Sequence, residues 1–107
     1  MDTIDITEVS RDGWCIVAVK GSVDGITADK LEVALKAAAG AHSHVAVDCS
    51  GISYISSAGL RSLLEGGRAA QIAGHTFIVC SPSLRAKQVF DISRIHLVMT
   101  VKDALPC

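Results

Sequence analysis

The chain has 107 residues, enough for one domain with a modest core. Half of the residues are hydrophobic but only 4% are aromatic, so the core must be built from Val, Ile, Leu and Ala. A formal net charge of −1 gives no basis for binding nucleic acid or an anionic membrane surface, and no apolar run approaches a membrane span in length. The residues after Met1, Asp2-Thr3-Ile4-Asp5, lack the apolar core of a secretory signal, so a cytoplasmic protein is expected.

Ile4-Asp5-Ile6-Thr7-Glu8-Val9 alternates apolar and polar residues, as a half-buried strand does. Arg11-Asp12-Gly13 is a turn signal, and Trp14 to Val19 reads as a second, mostly buried strand, making a hairpin that ends at Gly21. Thr27 is the expected cap of a first helix, with Ala28, Leu31, Leu35 and Ala38 as its buried stripe and Gly40 as its end. Lys30 and Lys36 fall off the stripe and are expected in water. Val45 to Val47 is the expected third strand. Ser57 to Ala73 is a second helix carrying Leu60, Leu63 and Leu64 on one face and ending at Gly74. Gly66-Gly67 interrupts it and marks either a close approach of another backbone, with a kink, or a tolerated weakness.

Thr76 to Cys80 is the expected fourth strand. Ser81-Pro82 reads as cap and first position of a third helix, with Leu84, Val89 and Phe90 toward the core. Leu97-Val98-Met99 is the expected last strand, and Asp103-Ala104-Leu105 a possible final helical turn stopped by Pro106. Strands alternating with helices imply parallel pairing, and the N-terminal hairpin makes the sheet mixed.

Four cysteines and four histidines raise the question of disulfides or metal. Cys15 and Cys80 lie within apolar runs and Cys49 follows one, so Cys15 and Cys80 are expected as buried, reduced thiols; the terminal Cys107 is expected to be exposed. No Cys-x-x-Cys spacing is present, and His42-x-His44 has no companion ligand motif, so neither metal nor cofactor is expected. Catalytic signatures are missing too. There is no Gly-x-Ser-x-Gly elbow, no Gly-x-x-x-x-Gly-Lys loop and no histidine placed by the sequence to activate a serine, so the chain is not expected to be an enzyme.

The informative stretch lies between the third strand and the second helix. There the chain delivers Ser56 and Ser57 to a helix N-terminus, where serine is a favoured cap and where negative charge is stabilised. A capping pair and a phosphate-accepting hydroxyl are both open readings of these two residues alone.

The pattern around them resembles the STAS domain family, and within it the stand-alone anti-sigma factor antagonists. Val45-Ala46-Val47-Asp48 followed by Tyr54-Ile55-Ser56-Ser57-Ala58-Gly59-Leu60 is similar to the family's apolar strand, loop and Asp-Ser-Ser/Ala-Gly-Leu helix start. Gly21-Ser22-Val23-Asp24 and Val101-Lys102-Asp103-Ala104-Leu105 resemble its flanking elements, so the resemblance spans nearly the whole chain, residues 1–107, as one STAS domain. It implies an α/β fold: a small mixed sheet of four to five strands with the helices mainly on one side.

Aligned on Gly59-Leu60, the family's phosphorylated residue falls on Ser57, with Ser56 as the alternative acceptor. The implied partner-binding set is Asp24, Ser56, Ser57, Ala58, Gly59 and Arg61. The implied function is partner switching. The unphosphorylated domain, a monomer when alone, binds an anti-sigma factor that is also a serine kinase. Binding frees a client, phosphorylation ends the complex, and a PP2C-type serine phosphatase resets it. A non-phosphorylated scaffold subunit, as of a lipid-transport or stress-signalling complex, and a nucleotide- or small-ligand-sensing domain are the alternative functions.

Two departures from the family pattern are present. Ser56 stands where the family usually has Asp, and Arg94 stands where it often has Gly. Arg94 is expected to be an ordinary surface residue without a positive φ.

Overall fold

The computed structural model describes residues 4–106; Cys107 lies outside the described residues. Five strands form one sheet in the order β1-β2-β3-β4-β5: β1 Ile4–Arg11, β2 Trp14–Val23, β3 His44–Ile55, β4 Thr76–Cys80 and β5 Thr100–Lys102. β1 is antiparallel to β2, and every other pairing is parallel. Three α-helices connect the parallel strands: α1 Ala28–Ala41, α2 Ser57–Ala73 and α3 Leu84–Ser93, the last followed by a 3-10 turn at Ile95–Leu97. No helix among the described residues is long and apolar enough to cross a membrane.

The β1–β2 hairpin turns on Asp12 and Gly13, both at positive φ (51° and 84°), between the paired residues Arg11 and Trp14. Such a two-residue turn matches the right-handed twist of the strands it joins, and Asp-Gly is among its preferred sequences. From β2 onward each crossover steps one strand further in the same direction, so the helices share one face of the sheet. Leu31, Leu35, Leu63 and Phe90 from that layer pack on Val17, Val19, Val45, Val47 and Val79. On the other face Ile16, Ala46, Ile78 and Cys80 are covered by Trp14 and Leu105, with no helical residue in the cluster. The expected mixed sheet with one-sided helices is therefore what forms.

The stripe Ala28, Leu31, Leu35 and Ala38 is buried as its spacing predicts, and Lys30 and Lys36 are exposed. Cys15 and Cys80 are buried, as expected, and so is Cys49.

Several boundaries differ from expectation. β3 continues through Asp48 to Ile55, where a strand-to-helix loop was expected, and β2 passes Gly21 to reach Val23. Along β3, Asp48 to Gly51 spans three steps while its partners Ala18 to Lys20 span two, and a second extra residue follows at Ser53. These bulges keep Cys49, Ile52 and Ile55 all inward despite a spacing of three, which does not read as a strand.

The third helix begins at Leu84, not at Pro82, and Ser83 replaces Ser81 as its cap. Ser83 Oγ accepts from the Ala86 N–H (3.1 Å) and donates to the Ile52 carbonyl (2.6 Å), so one side chain caps α3 and ties it to β3. With that start, Leu84 is left 77% exposed instead of facing the core. The last strand lies at Thr100–Lys102, because the 3-10 turn uses Leu97, and both Leu97 and Val98 are exposed. The segment after it forms bends, not a helical turn, and Leu105 serves to cover the open face of the sheet. α1 runs one residue beyond Gly40.

α2 is continuous through Gly66-Gly67. A Cβ on Gly66 would meet Leu35 Cβ at 2.9 Å and the Phe77 ring at 3.0 Å, so the glycine marks a close approach of side chains from α1 and β4 and not of another backbone. Gly66→Ala is therefore expected to cost about 1–3 kcal/mol by overpacking, although alanine favours a helix by about 1 kcal/mol. Urea denaturation measures this directly, and a gain in stability would contradict the packing.

Arg94 ends α3 in the left-handed region, at φ 56° and ψ 37°, contrary to the sequence expectation. Its backbone N–H reaches the Phe90 carbonyl, the usual bond of a left-handed helix cap. Arg94→Gly should relieve the Cβ strain and raise stability by about 0.5–1 kcal/mol in the same denaturation experiment, net of glycine's larger entropy loss.

Candidate functional site

The candidate site sits at the C-terminal ends of β2 and β3, the edge at which open α/β sheets place their sites. Val23 and Ile55 are paired residues at these ends. The next residues, Asp24 and Ser56, therefore emerge side by side, and the Ser56 N–H donates to the Val23 carbonyl at 2.9 Å.

The two serines have different tasks. Ser56 is extended (φ −95°, ψ 177°) and is the N-cap of α2; its Oγ accepts from the Gly59 N–H at 3.3 Å. Ser57 is the first residue of the helix and is exposed. Among the described residues no hydrogen bond engages its hydroxyl. The first turn of α2 carries no acidic side chain, and its first intrahelical bond is Leu60 N–H to the Ser56 carbonyl. The leading N–H groups thus lie beside the free hydroxyl, where an anion would be stabilised.

Gly59 is buried under this junction. A Cβ there would meet Ile55 Cγ1 at 2.6 Å and Val23 Cγ1 at 2.8 Å, so the bare backbone of glycine is what lets the helix start pack this closely on the strand ends. Ala58 is partly buried against the core.

Asp24 organises the turn into α1. Its Oδ1 accepts from the backbone N–H of Ile26 (2.9 Å) and of Thr27 (3.0 Å). These bonds, Thr27 first and Ile26 second, hold the carboxyl below the usual carboxylate range, so Asp24 stays ionised. Thr27 stands at the N-cap position of α1, as expected, but its side chain makes no capping bond to the helix; its Oγ1 donates to the Ser22 carbonyl (2.7 Å) and accepts from the Asp24 N–H (3.0 Å).

Arg61 is exposed and lines a groove of about 580 Å³ between α1 and α2, together with Gly25 and Ala58. The charges along this groove are balanced: Asp29, Glu32 and Glu65 against Lys36, Arg61 and Arg68. The structure thus brings Asp24, Ser56, Ser57, Ala58 and Arg61 to one end of the molecule.

Two contributors were not legible beforehand. Ser62 is buried, and its Oγ lies 2.8 Å from the Ala28 carbonyl and 3.1 Å from that of Ala58, joining the starts of α1 and α2. Ile26, in the turn after Asp24, is 88% exposed, an apolar side chain left uncovered at the site's edge. A buried serine looks like a surface one in sequence, and an isoleucine before a helix reads as core.

His42 and His44 do not converge. His44 packs on Trp14 with ring centroids 5.2 Å apart, whereas His42 lies within 4.8 Å of the ligand atoms of Glu8 and Cys15. There burial and then Glu8 push the Cys15 thiol up to about 11. Burial raises the Cys49 thiol further.

The division between the serines predicts unequal costs. Ser56→Ala should lose about 1 kcal/mol of stability with the cap, whereas Ser57→Ala should stay within about 0.5 kcal/mol of the parent. Denaturant midpoints of the two variants provide the test.

The family model for the STAS domain matches residues 4–106. The fold is similar to that of an anti-sigma factor antagonist from Mycobacterium paratuberculosis, with 23% identity, 96% of this chain and 88% of that chain covered, and a TM-score of 0.82. It is also similar to the anti-sigma factor antagonist SpoIIAA in its unphosphorylated form, with 19% identity, coverage of 92% and 87%, and a TM-score of 0.72. The Bacillus cell fate determinant SpoIIAA in the phosphorylated form matches with 19% identity, coverage of 92% and 90%, and a TM-score of 0.67. At such identities the likeness establishes the shared fold.

Proposed function

The chain belongs to the STAS domain family, and on that premise we propose that it is an anti-sigma factor antagonist, a binding module and not an enzyme, switched by phosphorylation of Ser57. The observation that carries this reading is the Ser57 hydroxyl: exposed and unbonded at the first position of α2, beside a neighbour that already caps the helix. Ser56 is the weaker acceptor, because its oxygen is engaged by the Gly59 N–H.

In the unphosphorylated state, the end of the molecule around Asp24, Ser57, Ala58 and Arg61 docks on an anti-sigma factor that is also a serine kinase. The kinase places the γ-phosphoryl group of its nucleotide on Ser57 Oγ, and the hydroxyl proton leaves to the kinase's base. The product adds about −1.5 to −2 charges to a surface whose own charges are balanced. At the helix N-terminus the phosphate is tolerated by the fold. Inside an interface it must be desolvated or repelled, and a loss of about 2.8 kcal/mol already weakens binding a hundredfold. A PP2C-type phosphatase restores the hydroxyl.

The test is incubation with the cognate kinase and ATP, followed by mass spectrometry, with binding assays on two variants. Phosphate is expected on Ser57. Ser57→Ala should stay bound to the kinase after ATP is added. Ser57→Asp should fold and bind at least about tenfold more weakly. Phosphate found only away from Ser56 and Ser57, or Ser57→Asp binding as tightly as the parent, overturns the switch and leaves a scaffold role in its place.

A further inference from the structure

We propose that Glu8, Cys15 and His42 form a binding site for a divalent metal ion of the zinc class, at the end of the sheet opposite Ser57. One carboxylate oxygen, one thiol sulfur and one imidazole nitrogen lie within 4.8 Å of one another. Three different elements supply them. Glu8 is on β1, Cys15 is on β2, and His42 is the C-cap of α1.

The topology makes the meeting systematic. Glu8 is paired with Val17, and Ser10 with Cys15, so Glu8 and Cys15 are diagonal neighbours across the hairpin. Cys15 shares the helix-facing side of β2 with Val17 and Val19. On β3 its partner is Val45, so the corner between α1 and β3 passes directly beside it. His42 occupies that corner, its N–H bonded to the Ala38 carbonyl at 3.0 Å.

The sulfur has a polar partner besides its place in the core. Cys15 Sγ donates to Glu8 Oε1 at 3.5 Å, and the residue is only 4% exposed. Around a tetrahedral zinc ion, with bonds of about 2.0–2.3 Å, the same three atoms would stand about 3.3–3.8 Å apart. The Glu8–Cys15 separation already falls in that range, so the closing needed is toward His42 and is at most about 1.5 Å, within the rotamer freedom of a side chain at the end of α1. Binding would displace the thiol proton to solvent and leave a thiolate ligand.

A mixed S, N, O donor set selects zinc-like ions over Mg²⁺ and Ca²⁺, which take oxygen ligands. Three protein ligands leave the fourth position to water. A cleft of about 340 Å³, lined by Ser10, Trp14 and Ser43 besides Cys15 and His42, gives water and the ion access. The bound ion would staple the edge hairpin to the α1–β3 corner. β3 runs 12 residues from this corner to the Ser57 end; less the two extra residues at its bulges, that is roughly 30 Å at strand rise, so the metal site stands apart from the switch.

The experiment titrates the full chain, in a Cys107→Ser background, with cobalt(II) and then with zinc. One cobalt ion per chain is expected, with a thiolate-to-cobalt charge-transfer band and the intense visible bands of tetrahedral coordination. His42→Ala and Glu8→Gln, both changes outside the core, should each weaken binding at least about tenfold. Cys15→Ser should remove the charge-transfer band. Zinc at a hundred times its dissociation constant should shift the unfolding equilibrium constant about a hundredfold in the Cys107→Ser parent and far less in His42→Ala. A band that persists in Cys15→Ser, no band in the Cys107→Ser parent, or equal affinity in His42→Ala and Glu8→Gln overturns the site.

Discussion

The hydrogen bond from the Ser56 N–H to the Val23 carbonyl, and the tight packing of Gly59 beneath it, fix the junction on which the rest depends. Here two parallel strands end and a helix begins, in van der Waals contact. Any side chain at position 59 would collide with Ile55 and Val23, so the start of α2 can approach the strand ends this closely only through glycine. The approach then sets the line of α2. It brings Ser62 within reach of the Ala28 carbonyl and Gly66 against Leu35, so α1 and α2 share a single packing layer. The groove that carries Arg61 is the outer surface of that layer.

What could be read from the sequence follows from which periodicities survive in the fold. α1 and α2 are regular, and the spacing of Leu31, Leu35 and Leu63 reports their buried face directly. β4 is a short apolar run bounded by polar residues, and its limits agree with the reading. β3 was only partly legible because its two bulges replace the two-residue period with three-residue steps at Cys49, Ile52 and Ile55. The start of α3 was misplaced because three candidate residues, Ser81, Pro82 and Ser83, stand in a row. The choice among them is tertiary: Ser83 alone reaches the Ile52 carbonyl, while Ser81 takes a positive φ of 50° and bonds to Lys102 in β5. Arg94 shows the same limit. Nothing in its side chain announces a left-handed backbone, and the need arises from the sharp turn between α3 and the 3-10 segment.

The candidate site was legible in outline because its residues are consecutive. The motif from Tyr54 to Leu60 carries a cap, an exposed hydroxyl and an obligatory glycine within a few residues, and local chemistry decides most of their roles. Asp24 and Arg61 were placed through resemblance, and the structure supplies their physical reason: the paired ends of β2 and β3, and the shared groove. The trio of Glu8, Cys15 and His42 was illegible, since its members are separated in sequence by a turn and by a whole helix. His42-x-His44 carried no companion ligand motif, and the strand that begins at His44 sends the two rings to different neighbours.

The substitution of serine for the family's usual aspartate at position 56 separates two properties that aspartate combines. As helix caps, serine and aspartate are about equal, so Ser56 retains the bond to the Gly59 N–H. The negative charge beside Ser57, the proposed acceptor, is what is given up. That loss leaves Asp24, held ionised by the turn it organises, as the carboxylate that follows the Val23 end of β2 at this junction. Among the described residues the hydrogen bonds that hold this junction are made by Val23, Asp24, Thr27, Ser56 and Gly59, and none by the Ser57 side chain. A charge placed on Ser57 therefore has little leverage on folding. Its effect falls on whatever molecule covers this end of the sheet, and such separation of scaffold from signal is what a reversible binding switch requires.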